Sequence, residues 1–304
     1  MIQYFTLSNN KIAPVDSSAG TIVVIASPTD EERQQLLQQT TIDEHTLASA
    51  LDPDELSRLE FEADHTAIIF KRPRNYSGKD QLLFKVTSCG IFLFRDRLYL
   101  VMSEDIPLFD GKLFTTVHSL NELVLKLIFR SIYHFLEHLR IFTLITDELE
   151  SKINTAMENK YLLNLFTLEK SLVYYLNSIN SNGILIEKLK YNASKFGFTE
   201  DEIELLDDLN IENTQCYRQA EIHSNILASL MDARASIVGN NLNVLMKTLN
   251  IVMLGIMIPT FVVSVFSMNV PIPMQDKEYA FWIILVLALA SFVAVVFARK
   301  KFKW

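Results

Sequence analysis

The feature that most constrains this chain is a run of 20 uncharged residues near its end, from Tyr279 to Ala298. At about 1.5 Å per helical residue, such a run crosses the ~30 Å hydrocarbon core of a bilayer. A second apolar run, Ile251 to Phe266, has 16 residues, and its polar members are Thr260 and Ser264. Only the 12 residues 267–278 separate the two runs. The sequence therefore predicts a membrane hairpin in the last part of the chain.

The basic residues predict how this hairpin is oriented. Four Lys and Arg residues lie in the segment 299–304, and Lys247 precedes the first span. Loops on the cytoplasmic side of a membrane carry an excess of Lys and Arg. We therefore expect both termini in the cytoplasm, 267–278 as an extracytoplasmic loop and 299–304 as a basic tail. The start of the chain lacks a basic segment followed by a long apolar one, so we expect no cleavable signal peptide.

The rest of the chain is strongly acidic. The sequence has 28 basic and 36 acidic residues, so residues 1–298 hold 28 − 4 = 24 basic residues and a net charge of −12. An acidic surface repels nucleic acid and attracts cations. The chain also has no glycine-rich nucleotide loop, because its closest glycines are Gly78 and Gly90. We therefore expect that the protein does not bind nucleic acid and is not an enzyme.

The segment before the membrane predicts an α/β domain followed by long helices. Residues 1–118 contain β-rich runs and two helical patterns, although the strand pairing is not predicted. The strand runs are 21–25, 67–72, 82–87, 91–94 and 98–102, and the helical patterns are 30–39 and 43–50.

Capping boxes mark where two of the long helices begin. Ser119 with Glu122, and Thr199 with Glu202, have the spacing of such boxes. They predict antiparallel helices over 119–198 and a stalk helix over 199–266 that continues into the first span. Whether the antiparallel helices are interrupted at Asn182-Gly183 is left open by the sequence. A helix that long is not stable alone in water, so we expect an oligomer.

Polar and thioether side chains form a stripe along the end of the stalk helix. Its eight members follow at intervals of 3, 4, 3, 4, 3, 4 and 3, which places them on one helix face. They are Asn243, Met246, Asn250, Met253, Met257, Thr260, Ser264 and Ser267. Two interpretations remain open, because the stripe fits both the lining of a pore between symmetric copies and plain helix packing in the membrane.

A pair of histidines offers a weaker signal. His134 and His138 lie four residues apart beside Glu137, a spacing that can bind Zn²⁺. Because no third ligand is in view, an ordinary helix face is the better interpretation.

Four segments of the membrane region form a recognisable pattern. They are Asn243-Val244-Leu245-Met246-Lys247-Thr248-Leu249, Pro259-Thr260-Phe261, Phe266-Ser267-Met268-Asn269-Val270, and Phe281-Trp282 in the second span. With these segments, the membrane region resembles the CorA-type magnesium transporter family. The acidic segment Asp52 to Glu60 is also similar to the family's N-terminal domain. The chain departs from the family's Gly-Met-Asn signature at Ser267, and its proline lies one position later.

The resemblance implies a funnel-shaped homopentameric channel in the inner (plasma) membrane that takes up Mg²⁺ and is gated by cytosolic Mg²⁺. The implied selectivity mouth is Ser267, Met268 and Asn269; the implied lining is Asn243, Met246, Leu249, Met257, Thr260 and Ser264, to which the stripe adds Asn250 and Met253. The implied regulatory acids are Asp207, Asp208, Asp52, Asp54 and Glu55; a solvated acidic face is the alternative interpretation of each of them taken singly. Transport of Zn²⁺, Co²⁺ or Ni²⁺ by the same fold, and a membrane-tethered sensor or scaffold, remain as alternatives.

Overall fold

The computed structural model describes residues 1–16, 19–76, 82–155, 159–270 and 277–302, and the chain divides into two units, Met1–Met231 and Asp232–Trp304. Five short segments of the predicted organisation lie outside the described residues. They are 17–18 and 77–81 in the predicted α/β domain, 156–158 in the predicted antiparallel helices, 271–276 in the predicted loop, and the last two residues of the basic tail.

In the first unit, the described strands form a seven-stranded sheet with the order β2-β1-β3-β7-β6-β5-β4. All neighbours are antiparallel except β3 and β7. The strands are β1 Ile2–Ser8, β2 Lys11–Pro14, β3 Ile22–Ala26, β4 Arg58–Phe61, β5 His65–Pro73, β6 Val86–Phe94 and β7 Leu98–Met102.

The central strand β3 explains why the sheet has a core on both faces. All five of its residues are buried apolar side chains. Because alternate side chains point to opposite faces, Ile22 and Val24 belong to one cluster and Val23 and Ile25 to the other. A strand that is apolar at every position has to be covered on both sides.

The seven described α-helices are α1 Asp30–Gln39, α2 Glu44–Leu51, α3 Leu120–Thr155, α4 Asn159–Tyr191, α5 Ala193–Phe196, α6 Glu200–Val265 and α7 Ala280–Phe302, and a short 3₁₀ helix spans Lys112–Phe114. α1 and α2 supply Leu36 and Leu47 to the smaller core cluster. α3, α4 and the start of α6 supply apolar side chains to the larger cluster, such as Leu127, Leu172 and Leu206.

Both predicted helix starts are confirmed. Thr199 and Glu202 form a reciprocal capping box, because each backbone N–H donates to the other residue's side chain. At α3, the Ser119 hydroxyl accepts from the Glu122 N–H at 2.9 Å. The same hydroxyl donates to the Glu202 carboxylate, which links the first turns of α3 and α6.

An interruption at Asn182-Gly183 is excluded, because α4 runs through both residues. Gly183 is required by packing: a Cβ there would lie 2.9 Å from Nδ2 of Asn213 on α6. The Asn213 amide itself donates to the Ile179 carbonyl at 3.0 Å. A small residue therefore lets α6 approach α4.

The sequence patterns miss β1, β2 and β4, which are only half-buried or exposed. The β1–β2 hairpin does carry a local signal. Its turn residues, Asn9 and Asn10, both have positive φ, as a two-residue turn of the type I′ class requires. An Asn-Asn pair between β-rich runs is a favourable sequence for that turn.

Candidate functional site

The second unit contains two helical segments that are long and apolar enough to cross a membrane, the end of α6 and Ala280–Ala298 of α7. α6 ends at Val265, one residue before the predicted boundary, and α7 continues to Phe302, beyond the predicted end of the span. The first four residues of the predicted tail are therefore helical.

The implied pore-lining residues that lie within α6 are all exposed in the single chain. They are Asn243, Met246, Leu249, Asn250, Met253, Met257, Thr260 and Ser264. Within the described part of this unit, α7 leaves these positions uncovered.

A different face of α6 is half-buried, and it identifies the side that packs on α7. Its members are Ile251, Gly255, Pro259 and Val262, and the half-buried Phe266 follows just beyond the end of the helix. α7 has a corresponding half-buried stripe at Ile283, Ile284, Ala288, Ser291 and Val295. The two helices meet where Gly255 leaves room, because a Cβ there would lie 3.6 Å from Cε2 of Phe292.

The two faces of α6 point in opposite directions. At about 100° of rotation per residue, the centre of the polar stripe lies roughly 180° from the centre of the face that packs on α7. The flanks between them carry large apolar side chains such as Val252, Ile256 and Phe261. The hairpin therefore presents its uncharged polar stripe away from its own second helix.

The hydroxyl group of Thr260, on the stripe, is held in one orientation. Thr260 Oγ1 donates to the Ile256 carbonyl at 2.7 Å, one turn earlier in the helix. A hydroxyl has one donor hydrogen and two acceptor lone pairs. Since the hydrogen is used within the helix, the outward side of Thr260 is a hydrogen-bond acceptor.

The segment with the serine in place of the signature glycine has an ordinary backbone. Ser267 N donates to the Ser264 carbonyl at 3.1 Å, and Ser267 Oγ donates to the same oxygen at 2.9 Å. Ser267 does not appear among the described residues with positive φ. A side chain is therefore accommodated here without left-handed backbone. Met268 and Asn269 follow as exposed residues beyond the helix.

The five candidate regulatory acids have different surroundings. Lys190 Nζ lies 2.6 Å from Asp207 Oδ1, so this carboxylate has a basic partner on α4. Its neighbour Asp208 is exposed, as are Asp52 and Asp54. No group of three or more His, Cys, Asp or Glu residues in the described ranges of the single chain is arranged to hold a metal ion.

The acidic loop that contains Asp52 and Asp54 is built around a lysine that the sequence patterns did not identify. Lys71 Nζ donates to the Pro53 carbonyl at 2.6 Å and to Ser88 Oγ at 3.0 Å. Burial lowers the pKa of Lys71 to about 8, while Asp52, Asp54 and Glu55 act to raise it. An ammonium group thus already supplies positive charge beneath this loop. Glu55 also pairs with Arg58 at 3.4 Å.

His138 is buried in the core of the first unit, and His134 is half-buried beside it. His138 Nδ1 lies 2.6 Å from the Tyr175 hydroxyl, and the His134 and His138 rings are 4.5 Å apart. Burial lowers their pKa values to about 3 for His134 and about 4 for His138, with a further lowering from nearby Arg72. Both imidazoles are neutral at physiological pH.

Comparisons with known proteins agree over the whole chain. Residues 18–301 match the sequence profile of the family described as CorA-like Mg²⁺ transporter protein. The cobalt/magnesium transport protein CorA of Methanocaldococcus jannaschii is 25% identical over 295 residues, which cover 91% of this chain and 89% of that protein.

Two solved structures share the fold of the full chain. The complete structure of the CorA magnesium transporter from M. jannaschii matches with a TM-score of 0.79 at 20% identity, covering 99% of this chain and 96% of that one. The full-length CmaX protein matches with a TM-score of 0.72 at 16% identity, covering 100% of this chain and 98% of that one.

Proposed function

The chain belongs to the family of CorA-like Mg²⁺ transporter proteins, which are transporters and not enzymes, and from this premise we propose that it is a divalent cation channel for Mg²⁺ uptake. The channel is a homopentamer in the inner (plasma) membrane, with both termini in the cytoplasm. The observation that carries the proposal is the polar stripe on α6, which faces away from α7. A membrane hairpin of this kind leaves polar groups toward lipid unless other copies cover them.

A closed ring of copies covers the stripe and turns it into a pore. α7 occupies one side of α6, and the large apolar flanks suit lipid or a neighbouring copy. The stripe then lies on the symmetry axis, with Asn243 at the cytoplasmic end and Thr260 and Ser264 near the outer end. The number five comes from the family resemblance. Helix packing explains the same residues only if another helix in the bilayer buries the stripe.

The chemistry of the stripe suits an ion that keeps its water. Mg²⁺ loses its inner waters reluctantly, so a permeating ion presents outward-pointing water hydrogens to the wall. Thr260 and the Asn amides offer oxygen acceptors to these hydrogens. None of the eight α6 lining residues carries a formal charge, so the ion is not held tightly, and the Met and Leu rings gate by excluding water.

The mouth of the channel is formed by Ser267, Met268 and Asn269. A ring of Asn269 amide oxygens accepts hydrogen bonds from a hydrated ion as it enters. Ser267 keeps its hydroxyl hydrogen on the Ser264 carbonyl and thus also presents lone pairs. The serine therefore adds acceptors to a mouth where the family signature has a glycine.

Cytosolic Mg²⁺ closes the channel by binding between the acidic cytoplasmic parts of neighbouring subunits. Asp208 is the first candidate ligand on α6, because it is exposed whereas Asp207 is paired with Lys190. Asp52 and Asp54 are the candidates from the α/β domain, with Glu55 less accessible because of its pair with Arg58. Loss of Mg²⁺ leaves these negative charges to repel each other.

Dye-reported Mg²⁺ entry into proteoliposomes under an inside-negative potential tests the pore. Thr260→Val is compared with Thr248→Val, because Thr248 also donates to the carbonyl four residues earlier, at 2.9 Å. The two threonines lie about 120° apart around the helix. In Thr260→Val, the hydrated ion loses one hydrogen bond to the wall. Because such a bond contributes about 0.5–1.5 kcal/mol, we expect the Mg²⁺ flux to fall about 2- to 12-fold. Thr248→Val conducts like the wild type, and Asn269→Ala abolishes entry.

Several results would contradict the proposal. If all three variants had the same Mg²⁺ flux as the wild type, the stripe would not line a pore, and a tethered sensor or scaffold would be favoured. Entry of Zn²⁺ or Co²⁺ without Mg²⁺ would identify a different cargo for the same channel. For gating, Mg²⁺ should slow limited proteolysis of the wild type but not of Asp208→Asn, with Asp201→Asn as the exposed control; equal protection of both variants would refute Asp208 as a ligand.

A further inference from the structure

The first unit contains a cavity of about 390 Å³ between the sheet and α3, remote in sequence from the polar stripe. Its third wall is the segment between β7 and α3. The floor is apolar and includes Phe70, Leu100, Met102 and Leu127. A cavity of this size falls within the range that proteins use for small molecules.

A buried arginine extends into this apolar environment. Arg72 continues the core-facing positions of β5 after Ile68 and Phe70, and only 5% of its surface is exposed. Its Nη1 atom has no hydrogen-bond partner in the described part of the chain. A buried guanidinium N–H group that lacks a hydrogen bond is costly, and the planar donors of a guanidinium match a carboxylate or a phosphate.

The nearest carboxylate does not satisfy Arg72. Glu104 Oε2 lies 3.8 Å from Arg72 Nη1, too far for a hydrogen bond. The other Glu104 oxygen lies 2.5 Å from Arg74 Nε, so this carboxylate is engaged with a second guanidinium. One carboxylate is therefore shared between two guanidinium groups, so Glu104 compensates the charge of Arg72 only in part.

Two more cations line the same cavity. Arg130 is held at its edge by a hydrogen bond from Nη1 to the Asp110 carbonyl at 2.9 Å, and Lys112 lies on the third wall. Glu137 is the carboxylate among the described lining residues. Three cations against one carboxylate give this cavity a net charge of +2, whereas the whole chain has a net charge of −8.

We propose that this cavity binds a small organic anion, with the phosphate or carboxylate head group on Arg72 and Arg130 and an apolar body against the Phe70 and Leu127 side. The positive field of the cavity also acts on His134, whose pKa both arginines help to lower. The site does not depend on ion transport, so its test is a binding measurement.

Isothermal titration calorimetry of the detergent-purified full chain in Mg²⁺-free buffer tests the site with phenyl phosphate and benzoate. The controls are inorganic phosphate, which lacks the apolar body, and benzyl alcohol, which lacks the charge. We expect saturable binding of phenyl phosphate or benzoate, and the tighter of the two identifies the head group. Inorganic phosphate binds at least about tenfold more weakly, and benzyl alcohol gives no saturable heat.

Substitutions locate the site. Arg130→Gln removes an exposed guanidinium and weakens the binding of the aromatic anion about tenfold or more, because a charge-assisted hydrogen bond is lost. Arg95→Gln removes the same charge from a different surface and leaves the affinity unchanged. Arg72→Gln should abolish binding, with thermal unfolding as a check on its fold.

Three outcomes would overturn the proposal. They are no saturable binding of either aromatic anion to the wild type, equal weakening by Arg130→Gln and Arg95→Gln, and inorganic phosphate binding as tightly as phenyl phosphate. The last result would show that the apolar wall of the cavity does not contribute to binding. None of these results bears on Mg²⁺ entry, so the two proposals fail separately.

Discussion

Replacing Asn182 by alanine removes the polar group that fastens α4 to the sheet. Asn182 is fully buried, and its Oδ1 accepts from Ser57 Oγ and from the Lys71 N–H, both at 2.8 Å. Its Nδ2 donates to the Lys71 carbonyl at 2.8 Å. The β4–β5 pairing reaches only to Ile69, so this amide takes the place of a strand partner at Lys71.

The magnitude follows from counting the groups left without partners. The Lys71 carbonyl keeps a hydrogen bond from Ser131 Oγ at 2.6 Å, whereas the Lys71 N–H and the Ser57 hydroxyl each lose an acceptor. An orphaned buried donor costs about 1–3 kcal/mol, so two of them cost roughly 2–6 kcal/mol. That is a large fraction of the ~5–15 kcal/mol by which a typical domain is stable.

Urea unfolding of the detergent-solubilised full chain, followed by helical circular dichroism, measures this loss. The control is Asn192→Ala, because the Asn192 side chain follows the end of α4 and donates an exposed hydrogen bond to the Lys188 carbonyl in the last turn of that helix. We expect Asn182→Ala to unfold at a clearly lower urea concentration than wild type, and Asn192→Ala to stay close to it. If both variants lose the same small stability, the amide is not what fastens α4 to the sheet.

Three further experiments test the helix packing and the two histidines. Gly183→Ala should cost about 1–3 kcal/mol, because its Cβ would displace the Asn213 amide; an unchanged urea midpoint would contradict this. The stability of the first unit should fall as the pH drops from about 6.5 to about 4, because the unfolded chain protonates His134 and His138 before the folded chain does; replacing both by Asn should flatten this slope in thermal scans. Gly255→Ala should be tolerated and Gly255→Leu should lower the thermal stability of the detergent-solubilised protein, since a Cβ fits at 3.6 Å and a larger side chain does not; equal melting of the two would refute close α6–α7 packing.

The polar stripe shows what a periodic sequence pattern predicts and what it does not. Intervals of 3 and 4 residues place the stripe on one face of α6 without any coordinates, but they do not say what lies opposite. That information comes from the half-buried positions Ile251, Gly255 and Val262, which face α7. The role of the stripe as a pore lining stays a prediction, because it depends on copies of the chain.

The acidic residues show where a sequence pattern is insufficient. Asp207 and Asp208 are equivalent in the sequence, yet Lys190 from α4 pairs with Asp207 and leaves Asp208 exposed. In the same way, the sequence shows Asp52 and Asp54 as an acidic loop, whereas in the structure the Lys71 ammonium group lies beneath this loop and donates to the Pro53 carbonyl. In each case the deciding partner comes from a different element of the fold.

By itself, the sequence determined the features that depend on neighbours along the chain. They are the two apolar spans, the capping boxes at Ser119 and Thr199, the polar stripe and the family resemblance. The length of an apolar run and the capping of a helix depend on residues within a few turns of one another, so both can be predicted from the sequence without the tertiary structure.

Only the tertiary structure decided features in which distant segments meet. They include the strand order, the uninterrupted passage of α4 through Asn182 and Gly183, and the Arg72 Nη1 atom, which has no hydrogen-bond partner among the described residues and lies beside the cavity. The physical reason is that burial and hydrogen-bond partners set the free energy of a polar group, and both are supplied by residues far away in the sequence.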